Sequence, residues 1–282
     1  MIVPVKLEVT RKPEPAKRLN PRGAPLYSGR VLYQEMNWPQ VAALSKDVPI
    51  VVPIGALEQH GRHMPLFTDS MLLGEVVRRA SEKLRDRVLL TPLMWLGNSH
   101  HHMDFPGTLS ADPRTYLSLL CDLQENLIAH GFRRIVLLNG HGGNIVPGQQ
   151  AVYEARQRHR DRKDLLLLMA TYWSLGGKPD EADPRIRQKC MGHACEWETS
   201  MMLRLAPKLV GDLKKVKPVE FGNPFEPAVR GWTTKDRSVP GHIGDPREAS
   251  AEKGETMFRI FSDDVVAMLE RVVAWDGSAW SG

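Results

Sequence analysis

From Val48 onward, apolar runs and amphipathic stretches alternate along the chain. Near-continuous apolar segments at residues 50–54, 88–93, 135–138 and 165–171 predict strands buried on both faces. Between them, residues 70–84, 113–130 and 147–160 carry the helical period. A short helix is expected over 35–45 and a last amphipathic helix over 250–273. This β-α-β-α alternation predicts an α/β fold, a mostly parallel sheet with helices on both faces. Residues 1–30 are rich in Pro and Arg with weak periodicity, and form an N-terminal arm ahead of a single domain, 31–282. Residues 208–249 lack periodicity and are rich in Pro and Gly. A short hairpin and a loop that closes over a pocket are expected there.

In parallel sheets ligands bind beyond the carboxyl ends of the strands. Each predicted strand here runs into an unusual polar loop. The first carries Gly55-Ala56-Leu57-Glu58-Gln59-His60-Gly61, then Asp69. Glu58 and His60 sit two apart, so an extended segment puts both on one face. The second loop holds Asn98-Ser99-His100-His101-His102. Neighbours on an extended segment point opposite ways, so one inward histidine and two exposed ones are expected. Ser99 and His102 are candidates to line a substrate pocket. The third loop, Asn139-Gly140-His141-Gly142-Gly143-Asn144, matches neither a dinucleotide nor a P-loop pattern. A histidine between glycines suits a metal that small neighbours let come close. The fourth strand leads through Trp173 to His193-Ala194-Cys195-Glu196-Trp197-Glu198 and a helical stretch, 201–205. Glu196 and Glu198 face different directions on a helix, one into the site and the other to solvent.

Composition narrows the class. The 282 residues are 42% hydrophobic and 25% charged, as in an ordinary globular protein. The net charge of +5 is mild and scattered, which argues against nucleic-acid binding and suits a small anionic substrate equally well. Three cysteines, Cys121, Cys190 and Cys195, form no C-x-x-C pair, so a reducing, cytoplasmic setting is expected. No apolar run is long enough for a membrane span.

Acids converging in one place repel one another unless cations hold them. The expected layout has Asp69 bridging two divalent ions. Glu58 and His141 serve one ion, and His60 with a second carboxylate serves the other. Water between the ions becomes a hydroxide nucleophile, and His193 carries a proton to the leaving group. No G-x-S-x-G elbow or H-E-x-x-H helix is present. Cys195 as a thiol nucleophile beside His193 is a rival arrangement. Trp95, Trp173, Trp197 and Trp232 are candidates to stack on a substrate ring, including a sugar or inositol derivative.

These segments resemble the creatininase (creatinine amidohydrolase) family. The likeness runs from Gly55–Asp69 through Phe105-Pro106-Gly107-Thr108, the His141 loop and His193–Ser200 to Gly244-Asp245-Pro246, across residues 50–250. It implies a creatininase-like α/β domain, a dinuclear zinc, manganese or iron site, and hydrolysis of an amide or opening of a ring. It also implies a homo-oligomer, often a hexamer. By position Glu58, His60, Asp69 and His141 match the metal ligands, His193 the catalytic histidine and Ser99 a substrate contact. Where creatininase has a metal-binding glutamate two residues after the third motif's histidine, this chain has Gly143, so Glu198 is expected to supply the fifth ligand and to take part in catalysis. Cys195 replaces the usual glycine after His-Ala. Both departures place the chain with the wider family, which includes formamide hydrolases, a peptidase that trims a peptide-derived redox cofactor, and hydrolases that open a keto-inositol ring.

Overall fold

Why the apolar runs are continuous is clear from what lies on each side of them. The computed structural model describes residues 31–277, and the expected arm over 1–30 lies outside the described residues. Five strands form one sheet: β1 Val31–Leu32, β2 Ile50–Ile54, β3 Leu89–Leu90, β4 Arg134–Asn139 and β5 Leu166–Thr171. The order is β1-β3-β2-β4-β5, with every pairing parallel. The helices are α1 Trp38–Ala43, α2 Thr68–Leu84, α3 Pro113–Ala129, α4 Ile145–Arg158, α5 Pro179–Ala182, α6 Glu196–Leu205, α7 Thr234–Arg237 and α8 Ala251–Ala274. Ile50, Val52, Ile54, Ile135 and Leu137 pack against Tyr116 and Leu120 of α3 and Ala151 of α4. Val51, Val136 and Leu138 point the other way, into Leu73 of α2, Met201 of α6 and Phe258 and Phe261 of α8. The fold is therefore the α/β fold expected, with no polar face left on the central strands.

The strand β2 is followed by α2 on one face, and its neighbour β4 by α4 on the other. A crevice opens where helices leave adjacent strands on opposite faces, which is where ligands sit in such sheets. The loops after β2 and β4 carry the first and third motifs.

Several boundaries differ from expectation. The strand expected over 88–93 is only Leu89–Leu90. Pro92 has no N–H to continue the ladder, although Thr91 and Met94 still donate to Val51 and Pro53 carbonyls. The helix α4 begins at Ile145, with Pro147 tolerated in a first turn whose N–H groups are unbonded anyway. The short early helix is α1, started by a reciprocal cap between Asn37 and Gln40. The expected hairpin in 208–249 is not formed. Among the described residues that segment makes only isolated bridges, Val219 to Gly244 and His193 to Ile243.

Glu196 is a further correction. It is buried, not turned to solvent. Its carboxylate accepts from the backbone N–H groups of Arg187 and Gln188 and pairs with Lys253 Nζ at 2.7 Å. The loop at 187–188 needs those acceptors, so both acids of the α6 first turn are used inside. The pair also joins α6 to α8. Lys253→Met leaves the Glu196 charge buried without its cation, and is expected to cost about 3 kcal/mol or more in chemical denaturation while the sheet stays intact.

Candidate metal centre

The geometry starts from two backbone approaches. A Cβ at Gly55 would lie 2.6 Å from Ser70 Oγ, so only glycine lets the α2 N-terminus come this close to the end of β2. Ser70 Oγ donates to the Ala56 carbonyl at 2.8 Å and fixes that approach. Asp69 then lies inside the first turn of α2, not at a cap, with its carboxylate over the strand ends. Two asparagine side chains hold the remaining loops. Asn144 Nδ2 donates to the Gly55 carbonyl while its Oδ1 accepts from Asn98 N–H, joining the loops after β2, β3 and β4. Asn139 clamps both sides of His141, accepting from His141 N–H and donating to its carbonyl.

Within this frame Asp69 stands between two imidazoles. Its Oδ1 is 3.1 Å from His60 Nε2, and its Oδ2 is 2.9 Å from His141 Nδ1. Each ring is backed by a carbonyl, which can only accept. His60 Nδ1 donates to the Glu58 carbonyl at 3.1 Å, and His141 Nε2 donates to the Asn98 carbonyl at 3.0 Å. The nitrogens that face Asp69 are thus the ones left with lone pairs. Glu58 Oε2 is 3.3 Å from His141 Nε2, and Glu198 Oε1 is 3.8 Å from His60 Nε2. Asp69 Oδ2 and Glu58 Oε2 are buried with no hydrogen bond in line. An orphaned carboxylate oxygen facing an imidazole lone pair, as Asp69 Oδ2 faces His141 Nδ1, is what a divalent cation satisfies, and backing carbonyls are how ligating histidines are oriented. Glu58, His60 and Asp69 offer ligand atoms that all lie within 4.8 Å of one another, and so do His60, His193 and Glu198.

Burial alone would push the His60 and His141 rings down. The Asp69 and Glu198 carboxylates beside His60, and those of Glu58 and Asp69 beside His141, outweigh it. His60 rises well above its ordinary value, and His141 rises to about 9. Asp69 is pushed up by burial, but the two histidines hold it well below the usual carboxylate range. Burial raises Glu198.

His193 behaves differently. Its Nε2 donates to the Gln59 carbonyl at 2.8 Å, which leaves Nδ1 facing Glu58 Oε1 at 3.6 Å. Burial, together with the charges of His60 and His102, keeps its pKa well below the ordinary value, so the ring is neutral. Ala194 takes φ 48° to present it, held by Glu198 Oε2 on its N–H and His63 Nε2 on its carbonyl.

A cavity of about 660 Å³ opens above these groups. It is lined by Glu58, Asp69, His141, His193 and Glu198 at its floor, with His101, His102, Trp173, Arg230, Trp232 and Arg237 around them. His60 and Ser99 are fully buried behind it. Ser99, expected against substrate, instead has its Oγ 3.3 Å from His141 Nε2. The three histidines also differ from expectation. They form a 3-10 turn, not a strand, so neighbours are about 120° apart and two of them, His101 and His102, face the cavity. His102 Nδ1 lies 2.7 Å from Gln59 Nε2 and 2.8 Å from Thr234 Oγ1, while its Nε2 points at Glu58 Oε1 at 3.2 Å. It is kept neutral by burial, at about 2, and so acts as a donor to Glu58. Gln59 Nε2 also donates to the Gly241 carbonyl at 2.7 Å. Of the four tryptophans, Trp173 and Trp232 line the cavity, Trp197 is buried in the core and Trp95 does not reach it. Sequence reasoning missed Gln59, His101, Arg230 and Arg237. Gln59 lies inside the first motif, so its position was a signal, whereas the others depend on a turn type and a loop path.

Comparison with known proteins gives the family. The family model described as creatinine amidohydrolase, Creatininase, matches residues 34–269. The chain belongs to the creatininase family. It is a hydrolase of that family, whose members are metal-dependent and act on C–N bonds. Creatinine amidohydrolase of Pseudomonas putida is 31% identical over 83% of this chain and 94% of that protein. Mycofactocin precursor peptide peptidase of Mycolicibacterium smegmatis is 32% identical over 81% of this chain and 86% of its own. A solved structure of a mutant creatininase, Zn-Zn type, superposes with a TM-score of 0.74 at 29% identity, covering 86% of this chain and 98% of that one.

The creatininase-family departures have physical reasons here. A Cβ at Gly143 would overlap the Asn98 carbonyl oxygen and lie 2.5 Å from His141 Nε2, so no side chain fits where creatininase carries its glutamate. Cys195 has φ −94°, which asks for no glycine. Its thiol is buried, pushed up to about 12, and does not line the cavity, so it is not a nucleophile.

Two outcomes follow from this geometry. Gly143→Ala forces the Asn98 carbonyl or the His141 ring to move, and is expected to cost about 1–3 kcal/mol in thermal unfolding together with weaker metal retention. Metal uptake by the stripped protein is expected to release protons near pH 7, because His60 and His141 are held protonated there and must be neutral to ligate. Apparent affinity therefore rises with pH through about 9, where His141 is half deprotonated. Calorimetry in buffers of different ionisation enthalpy measures that release.

Proposed function

We propose that the chain, working as one domain, is a dinuclear metal hydrolase that opens a cyclic amide or a related cyclic carbonyl compound. The observation that carries the reading is the Asp69 carboxylate, one oxygen toward His60 and the other toward His141. Glu58 and His141 would hold one ion, His60 and Glu198 the other, and Asp69 both. Zinc, manganese and iron all suit this mixture of imidazole and carboxylate. When bound, such a pair supplies Lewis acidity toward a carbonyl and lowers the pKa of water toward neutrality.

The chain's own residues supply the rest. His193 has its Nε2 proton fixed on the Gln59 carbonyl, so Nδ1 is the atom that takes a proton from the floor of the cavity and returns it to a leaving nitrogen. His102 orients Glu58 through Nε2–H, and Trp173 forms part of the wall against which a flat substrate rests. Glu198, raised by burial, is placed to share a proton as well as to ligate. No helix among the described residues is long and apolar enough to cross a membrane. The same reading has a homo-oligomer, a hexamer among its forms, acting on a small molecule in the cytoplasm. Exposed Tyr153 on α4 is available for such contacts.

Two variants test the assignment together. Protein purified without chelator is expected to carry about two divalent ions per chain by elemental analysis. Asp69→Asn is expected to lose metal and turnover together. His193→Asn is expected to keep its metal and lose about 10²–10⁴-fold in turnover. An Asp69→Asn protein that stays active after exhaustive chelation defeats the proposal.

A further inference from the structure

The cavity separates its charges. Every acid lining it, Glu58, Asp69 and Glu198, lies at the floor. Its two cations, Arg230 and Arg237, come from the segment that covers it. Among the described residues neither guanidinium makes an ion pair, whereas Arg247 pairs with Asp245, and Arg230 lies over the Phe225 ring at 5.8 Å. Asp236 feels the Arg230 charge, but its carboxylate is taken up in capping Thr233 at 2.9 Å. Arg237 is half-buried, and its guanidinium has no acceptor among the described residues. The Trp232 ring lies 4.9 Å from the Arg237 guanidinium carbon and holds the fork in place. Trp232 in turn meets His101 edge-on at 5.2 Å, and His101 stacks on His141 at 5.8 Å. One wall of rings therefore runs from the candidate metal ligand to the unpaired arginine.

We propose that Arg230, Trp232 and Arg237 form a carboxylate-binding subsite, so that the substrate is an amide carrying a carboxylate away from the bond that is cut. A planar fork stacked on an aromatic face presents parallel N–H donors that match a carboxylate and no neutral group as well. The cavity, about 660 Å³, has room for a molecule that reaches from floor to cover. The inference rests on the amide-hydrolase reading for what lies at the floor, and on its own residues for what lies at the cover.

The probe is hippurate, N-benzoylglycine, against its neutral carboxamide, with dissociation constants measured by calorimetry on the metal-loaded full chain. The wild type is expected to bind hippurate at least about tenfold more tightly, the size of one charge-assisted contact. The R230Q/R237Q variant is expected to lose that gap, with carboxamide affinity and metal content unchanged, and R237K to keep part of it. A gap that survives in the double variant assigns the carboxylate to the metals and overturns the subsite, as does a wild type with no gap. Turnover of amides is measured separately. A preference held by the arginines in a protein that cleaves no amide leaves the subsite standing and removes the hydrolase reading instead.

Discussion

One carboxylate, that of Asp69, sets the requirements the rest of the molecule meets. Two imidazoles approach it from opposite sides, each with its far nitrogen tied to a backbone carbonyl. That arrangement is unfavourable for an empty buried site, because lone pairs face lone pairs. Without a cation, protons are drawn to the place, because the carboxylates around His60 and His141 push both rings above their ordinary values. The frame around Asp69 is correspondingly rigid: a glycine at 55 to admit the helix, and two asparagines to hold the loops.

The sheet explains why one carboxylate can meet both rings. His60 comes from the end of β2 and His141 from the end of β4, which are neighbours in register up to Ile54 and Asn139. Both strands are buried on both faces and interlock with a close-packed core on each, so neither can slide without mispacking both. The Glu196–Lys253 pair serves the same end on the other side, fixing the helix start from which Glu198 enters.

Much of this was legible in the chain. Runs such as Ile50–Ile54 read as buried strands because they lack polar alternation, and the acids and histidines at their ends read as a centre because like charges need a reason to gather. What was not legible depended on local turn geometry and on contacts distant in sequence. The step from strand to 3-10 turn at His100 decided which rings face inward, and nothing in a run of identical residues signals it. Glu196 read as solvent-facing because its acceptor role is set by backbone groups nine residues away at Arg187. Ser99 read as a substrate contact, and its place behind His141 depends on how close the loops pack around Gly143.

The covering segment is not fastened evenly. Thr234 and Gly241 reach down to His102 and Gln59, which themselves hold Glu58 and line His193. Residues 221–232, by contrast, hydrogen-bond only among themselves among the described residues. Lifting the first part would disturb the tautomer of His102 and with it the candidate ligand Glu58, while lifting the second would break the ring contact of Trp232 with His101 but no hydrogen bond to the site beneath. The edge at Phe225 and Arg230 is therefore the side of the cover that can part without breaking a hydrogen bond to the candidate ligands, and the opposite edge is tied to them.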